Sequence, residues 1–321
     1  MDWWQAALLG LIEGITEYLP VSSTGHLILG SSLLGLDGPE LKPAVDAFNI
    51  VIQGGAILAV LGLYRARVAQ MLRGLVGRDP AGRRLFLLLV VAFMPAAVFG
   101  LLLNERIEQL LFKPAPVLFA LALGGVYMII LDRKLIRPMR EADRIAEIRG
   151  DTGEDERDLT TMSFRAALII GLLQTLAMWP GTSRSMMTIT AGVIVGLRPR
   201  QAAEFSFLLG LPTLGAATLY TLAKDLAQSD PNMFDVLGPA PILIGLAVAT
   251  VSAAFAVRWL VAFLTRHGLA AFGWYRIALT AVLAGSIMIG FVDIRPPPPD
   301  DLGNDIISNN DIPAAPTDLV P

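Results

Sequence analysis

EGITEYLPVSSTGH, Glu13 to His26, interrupts membrane-grade apolar sequence with two carboxylates, a proline, two serines, a threonine and one of the chain's two histidines. An apolar run over 3–19 precedes Pro20, and a shorter run carries on to Leu36. Each half falls short of the roughly 20 apolar residues that a crossing takes. A proline after a helical run, followed by Ser, Thr and Gly, ends one helix and caps the next. The same break recurs once. An apolar run over 164–179 stops at Pro180, and PGTSRSMMT (180–188) opens a second run to Leu197. Both regions read as re-entrant helical hairpins, since irregular backbone at membrane depth needs protein or water around it.

The two breaks resemble each other. GLIEGITEYLPVSS (10–23) aligns with GLLQTLAMWPGTS (171–183) with one gap, so that Gly10 falls on Gly171, Pro20 on Pro180 and Ser23 on Ser183. Downstream, AFNIVIQGG (47–55) weakly echoes EFSFLLGLP (204–212). Six stretches are apolar and long enough to span: about 44–63, 85–104, 115–131, 203–223, 238–262 and 272–292. The fold expected is an all-α polytopic membrane protein, an inverted repeat of two five-helix units. Each unit is a hairpin plus three spans, and the odd span count turns the second upside down. Such repeats put a polar site near the midplane, where the broken helices meet. Repeat 1 covers about 1–131 and repeat 2 about 164–292, within one membrane domain at 1–292. A solvated cytoplasmic linker with room for a short helix joins them at 132–163. The tail at 293–321 is acidic and Pro-rich, and is expected to be disordered and extracytoplasmic.

Charge orients the chain. Loops at 64–84 and 132–163, with positions 198–200 and 258–276, hold 18 Lys and Arg, against 5 on the other side. The positive-inside rule then puts both termini outside. This count treats Arg276 as a loop cation and leaves Arg184 as the one arginine well inside an apolar segment. The chain is 54% hydrophobic over 321 residues, too apolar for a soluble domain of this size. Having no cysteine, it has no disulfide, thiolate chemistry or Cys-bound metal. A net charge of -3 says little by itself, and no nucleic-acid partner is expected. The first residues lack a basic n-region, so they read as a first helix with Trp3 and Trp4 at the interface.

Glu13 and Glu17 are one helical turn apart, on one face and deep in an apolar segment, where acids are costly and mark function by default. Two such carboxylates suit Mg²⁺ or Ca²⁺, which prefer oxygen ligands; one could instead serve as a base. Ser22 and Ser23 offer a cap, a phosphate ligand or a nucleophile, and a hydroxyl nucleophile needs a base beside it. Glu17 and His26 are the bases within reach. His267, in a basic loop, reads as solvated. In the second break Arg184 needs an anion, supplied either by Glu13 or Glu17 or by a bound phosphate. Ser183, Ser185 and the amides opening the next helix would complete an anion site, with Thr188 one turn beyond Arg184. Acids, hydroxyl, histidine and guanidinium together suit phosphoryl transfer, which runs on positioning and charge neutralisation.

These motifs resemble the two signature motifs of the bacterial undecaprenyl-diphosphatases of the bacitracin-resistance type. FNIVIQGGAILAV (48–60) and AAEFSFLLGLP (202–212) look like further segments of that family. The resemblance covers roughly 3–292. It implies a multi-pass enzyme of the bacterial inner membrane that hydrolyses undecaprenyl diphosphate to the monophosphate and phosphate, recycling the lipid carrier of peptidoglycan synthesis. It also implies a divalent cation and a homodimer. Carried over by position, the family's acidic motif falls on Glu13 and Glu17, its serine and histidine positions on Ser22, Ser23 and His26, and its arginine motif on Ser183, Arg184 and Thr188.

On that footing Arg184 and a cation bind the diphosphate, Ser23 attacks, and Glu17 or His26 takes its proton. Direct attack by water activated by Glu17 is the other route. The acidic cluster, entered from outside, puts the headgroup on the extracytoplasmic side. The rival function is a transporter or flippase of polyprenyl phosphate lipids, because inverted repeats with broken helices also build transporters. The spacing Gly10/Gly14 suits either a dimer contact or packing within the chain.

Overall fold

The computed structural model describes residues 1–149 and 158–292, and among them every regular element is helical. The first break separates α1 (Trp3–Thr16) from α2 (Ser23–Leu33). Next come α3 (Lys42–Val51), α4 (Gln53–Leu63), α5 (Arg65–Leu75), α6 (Pro80–Leu111) and α7 (Pro114–Leu131). A π-helical turn, Asp132–Ile136, leads into α8 (Arg137–Ile148). The second break follows α9 (Phe164–Gln174) and a 3₁₀ turn, Thr175–Met178, and precedes α10 (Arg184–Ile194). The chain closes with α11 (Pro199–Gln228), the short α12 (Met233–Leu237), α13 (Pro239–His267) and α14 (Ala270–Met288).

Six stretches among the described residues are long and apolar enough to cross a membrane: Lys42–Leu63, Pro80–Leu103, Pro114–Ile145, Pro199–Gln228, Pro239–His267 and Ala270–Met288. They are the six expected, which makes this an all-helical multi-pass chain. Proline opens α6, α7, α11 and α13. Its fixed φ suits the first helical residue, whose N–H has no partner inside the helix in any case.

Two local expectations change. The first span is two helices, α3 and α4, meeting at Ile52 with no proline to signal it. The expected solvated linker is helical over 132–148 and continues α7. Asp132 at its start is buried, accepting from the Leu269 backbone N–H at 2.7 Å and pairing with Arg137 at 3.2 Å. Alternating charges over this stretch hide the fact that one acid is taken up by tertiary partners. Leu159 and Met162, in the same expected linker, are buried as well. The tail at 293–321 and the stretch 150–157 lie outside the described residues.

Small residues set the interior contacts. A Cβ at Gly10 would sit 2.4 Å from the Gly245 carbonyl oxygen of α13, and one at Gly14 would meet the Ala249 carbonyl at the same distance. The Gly10/Gly14 spacing is therefore used inside the chain, where bare backbone lets two membrane helices touch. On the other side Gly171 of α9 lies against α6, where a Cβ would come 2.3 Å from the Ala92 carbonyl. Gly10→Ala gains helix propensity but must push two backbones apart. The net expectation is a loss of about 1–3 kcal/mol, read as a lower thermal unfolding midpoint in detergent. An unchanged midpoint would mean the helices separate at no cost.

Candidate active site

Both breaks end on the same unusual backbone. Ser22 (φ 73°) and Ser183 (φ 77°) are the non-glycine residues with positive φ among those described. Side chains seldom tolerate that region, and it recurs where function needs a particular turn. Each serine immediately precedes a helix, so α2 and α10 both point their N-termini into the breaks, with no side-chain cap on α2 and the Ser183 hydroxyl capping α10. The Ser185 hydroxyl donates to the Leu19 carbonyl at 2.8 Å, tying the second break to the first.

Glu17 caps the C-terminus of α1 and is the hub. One carboxylate oxygen, Oε2, accepts from the Ser23 hydroxyl at 2.7 Å. The other, Oε1, accepts from Arg184 Nε at 3.3 Å and Nη2 at 3.2 Å. The third guanidinium nitrogen, Nη1, donates to the Ser206 carbonyl at 3.1 Å. The ring of Tyr18 lies 5.4 Å from the guanidinium carbon and meets Phe207 edge-on. Gly210 leaves the room for this stack, since a Cβ there would come 3.2 Å from Arg184 Nη1 and 3.3 Å from Tyr18.

Glu13 is fully buried, and neither of its carboxylate oxygens has a hydrogen-bond partner. A buried carboxylate without a partner is expensive. These are hard oxygen donors one turn from Glu17, the chemistry that Mg²⁺ or Ca²⁺ takes. Among the described residues no group of three His, Cys, Asp or Glu converges.

The remaining expected residues divide. Ser22 Oγ is buried and unpartnered, while Ser183 Oγ caps α10 by accepting from the Met186 N–H and lies 3.1 Å from Ser185 Oγ. Thr188 supports the seat of Arg184, bonding the Arg184 carbonyl at 2.9 Å and Ser206 Oγ at 2.6 Å. His26 does not face Ser23. Its Nδ1 is 2.7 Å from the Ser22 carbonyl and its Nε2 is 2.7 Å from the Tyr275 hydroxyl. His267, expected to be solvated, is exposed and stacks on Phe263.

One expectation fails. Arg184 is not the sole arginine within apolar sequence, because Arg276 lies inside α14 and is wholly buried. It is no loop cation and drops out of the orientation count, which still favours the same side. Tyr275, Ser206 and Tyr18 also line the constellation without having been singled out. The pattern YR at the head of an apolar helix was the one available signal for α14.

A family model described as "Bacitracin resistance protein BacA" matches residues 6–282 of the chain. A Sorangium cellulosum protein named "Undecaprenyl-diphosphatase" is 44% identical over 285 residues, 88% of this chain and 86% of its own length. "Undecaprenyl-diphosphatase 2" of Rhodospirillum rubrum is 42% identical over 90% of this chain and 96% of its own. A Methylococcus capsulatus "Undecaprenyl-diphosphatase" is 41% identical over 91% and 97% respectively.

Proposed function

This chain belongs to the bacitracin resistance protein BacA family, and on that footing we propose that it hydrolyses undecaprenyl diphosphate to undecaprenyl phosphate and inorganic phosphate. The observation that carries the reading is the Ser23–Glu17–Arg184 constellation: a hydroxyl donating to a carboxylate that also faces a guanidinium. A translocation site needs the clamp but has no use for a hydroxyl aimed at a base, which favours the phosphatase over the flippase.

In this mechanism Arg184 turns from Glu17 to the diphosphate, which it can hold through two parallel N–H donors. The N-termini of α2 and α10 add fixed positive potential around the phosphate. Ser23 Oγ attacks the terminal phosphorus, and Glu17 takes the hydroxyl proton. The bond to the bridging oxygen breaks, releasing undecaprenyl phosphate. Water then attacks the phosphoserine, freeing phosphate and restoring Ser23. Glu13 and Glu17 would hold the divalent cation. When bound, such an ion neutralises charge on the diphosphate.

The inverted repeat is part of the same reading. The positive-φ serines support it, pairing Ser22 rather than Ser23 with Ser183 and so moving the sequence register by one residue, and so does the exchange of partners between halves: α1 packs on α13 as α9 packs on α6. Two re-entrant hairpins meeting tip to tip would bring Glu17 to Arg184 near the midplane of the inner membrane. The basic-side count supports both termini outside and a headgroup reached from the extracytoplasmic face.

The first experiment is phosphate release from undecaprenyl diphosphate by the purified protein in detergent. Turnover is expected to fall at least about tenfold in EDTA and to return with Mg²⁺ or Ca²⁺. Folded protein that binds the lipid without releasing phosphate would sink the phosphatase reading. Full activity in EDTA would remove the cation alone.

A further inference from the structure

We propose that Tyr275 is a positioning residue for the nucleophile's turn, acting through His26, and that with Arg276 it makes α14 the strut fixing both breaks. This rests on Ser23 being the attacking group.

The Ser22 carbonyl can only accept, so His26 Nδ1 carries the proton at their 2.7 Å contact. In the neutral ring Nε2 is then the acceptor, and the Tyr275 hydroxyl donates to it at 2.7 Å. Both ring nitrogens are occupied, and neither reaches Ser23. What the histidine holds is the carbonyl of a residue at φ 73°, a strained conformation that persists only where its surroundings enforce it. The next residue along is Ser23, whose hydroxyl must stay on Glu17. Losing the tyrosine hydroxyl frees the ring, and the ring frees the turn.

The neighbouring residue does the same for the second break. Arg276 Nη2 donates to the Gly181 carbonyl at 2.7 Å and to Ala120 at 3.1 Å, while Nε donates to Leu121 at 3.2 Å. Gly181 lies two residues before Ser183, the other positive-φ serine. Gly124 of α7 leaves space for the guanidinium, since a Cβ there would sit 2.5 Å from Nη2. No carboxylate among the described residues pairs with Arg276, so backbone carbonyls are what balance a buried charge. A cation so placed is costly in apolar surroundings and earns its place by function. Two consecutive residues of α14 thus reach the two turns on which Ser23 and Arg184 stand.

The test is Tyr275→Phe, alone and combined with His26→Ala, in the full chain. A fall in kcat of about tenfold with KM within about twofold is expected for Tyr275→Phe, the size of one lost hydrogen bond. On the His26→Ala background the same change should do nothing further, because the effect travels through the ring. Backbone hydrogen exchange over residues 20–27 should speed up in Tyr275→Phe without substrate, while the exchange of α1 and the unfolding midpoint stay put. Wild-type kcat, additive losses in the double variant, or unchanged exchange each overturn the proposal. If wild type itself releases no phosphate, the phosphatase reading falls, and the exchange data alone decide whether Tyr275 holds the turn.

Discussion

Arg184→Ala is expected to cut phosphate release from undecaprenyl diphosphate by about 10³- to 10⁵-fold, the range found when a guanidinium is lost from a phosphoryl-transfer site. The side chain is nearly buried, and its three nitrogens are spent on Glu17 and the Ser206 carbonyl. Removing it also leaves Glu17 with an uncompensated charge, at a cost of about 3–5 kcal/mol in a buried pair. Arg184→Lys separates the two consequences. Lysine keeps the charge beside Glu17 but loses the fork that grips phosphate, so the protein is expected to fold and still turn over far more slowly. Lysine at full activity would mean that charge alone suffices and that the fork geometry is incidental.

Ser23→Ala is the second large effect, with kcat expected to fall by about 10³-fold or more. Glu17→Gln should do comparable damage, and the double variant should be little worse than either, because nucleophile and base act as a unit. Substrate labelled at the terminal phosphate should leave label on wild type at short quench times and none on Ser23→Ala. Activity within about tenfold of wild type in Ser23→Ala would hand the attack to water, with Glu17 as its base. The short Ser23–Glu17 contact would then be a resting arrangement that the substrate displaces.

The long helices were legible because hydropathy is a local property. Six apolar runs in the sequence are, in the structure, six helical stretches long and apolar enough to cross a membrane, with proline at the head of four. The two breaks were legible for the opposite reason: Pro20 and Pro180 with their Ser and Thr followers are out of place in lipid. Glu17, Ser23 and Arg184, picked out on separate segments, meet within hydrogen-bond range across 167 positions of sequence. What hydropathy misses is who answers a polar group. Arg276 looked like a loop cation because its carbonyl partners lie 95 to 156 residues upstream. Asp132 looked solvated for the same reason, its partner being the amide of Leu269. His26 was read as a base from its distance to Ser23 along the chain. A single turn of helix rotated it instead towards Tyr275, which no local pattern tied to it.

The close fit of α1 on α13 fixes an order of events during synthesis. Residues 10 and 14 leave the ribosome about 235 residues ahead of the surface they fit, Gly245 to Ser252. At about 5–20 residues per second the wait is on the order of tens of seconds. Throughout it α1 sits in the bilayer with a bare glycine seam and two acids, and Arg184 arrives well before the seam is covered. α1 is made long before α13, the helix that seats it. A stalled chain lacking α13 exposes a half-built polar face to lipid, a form that membrane proteases are suited to remove.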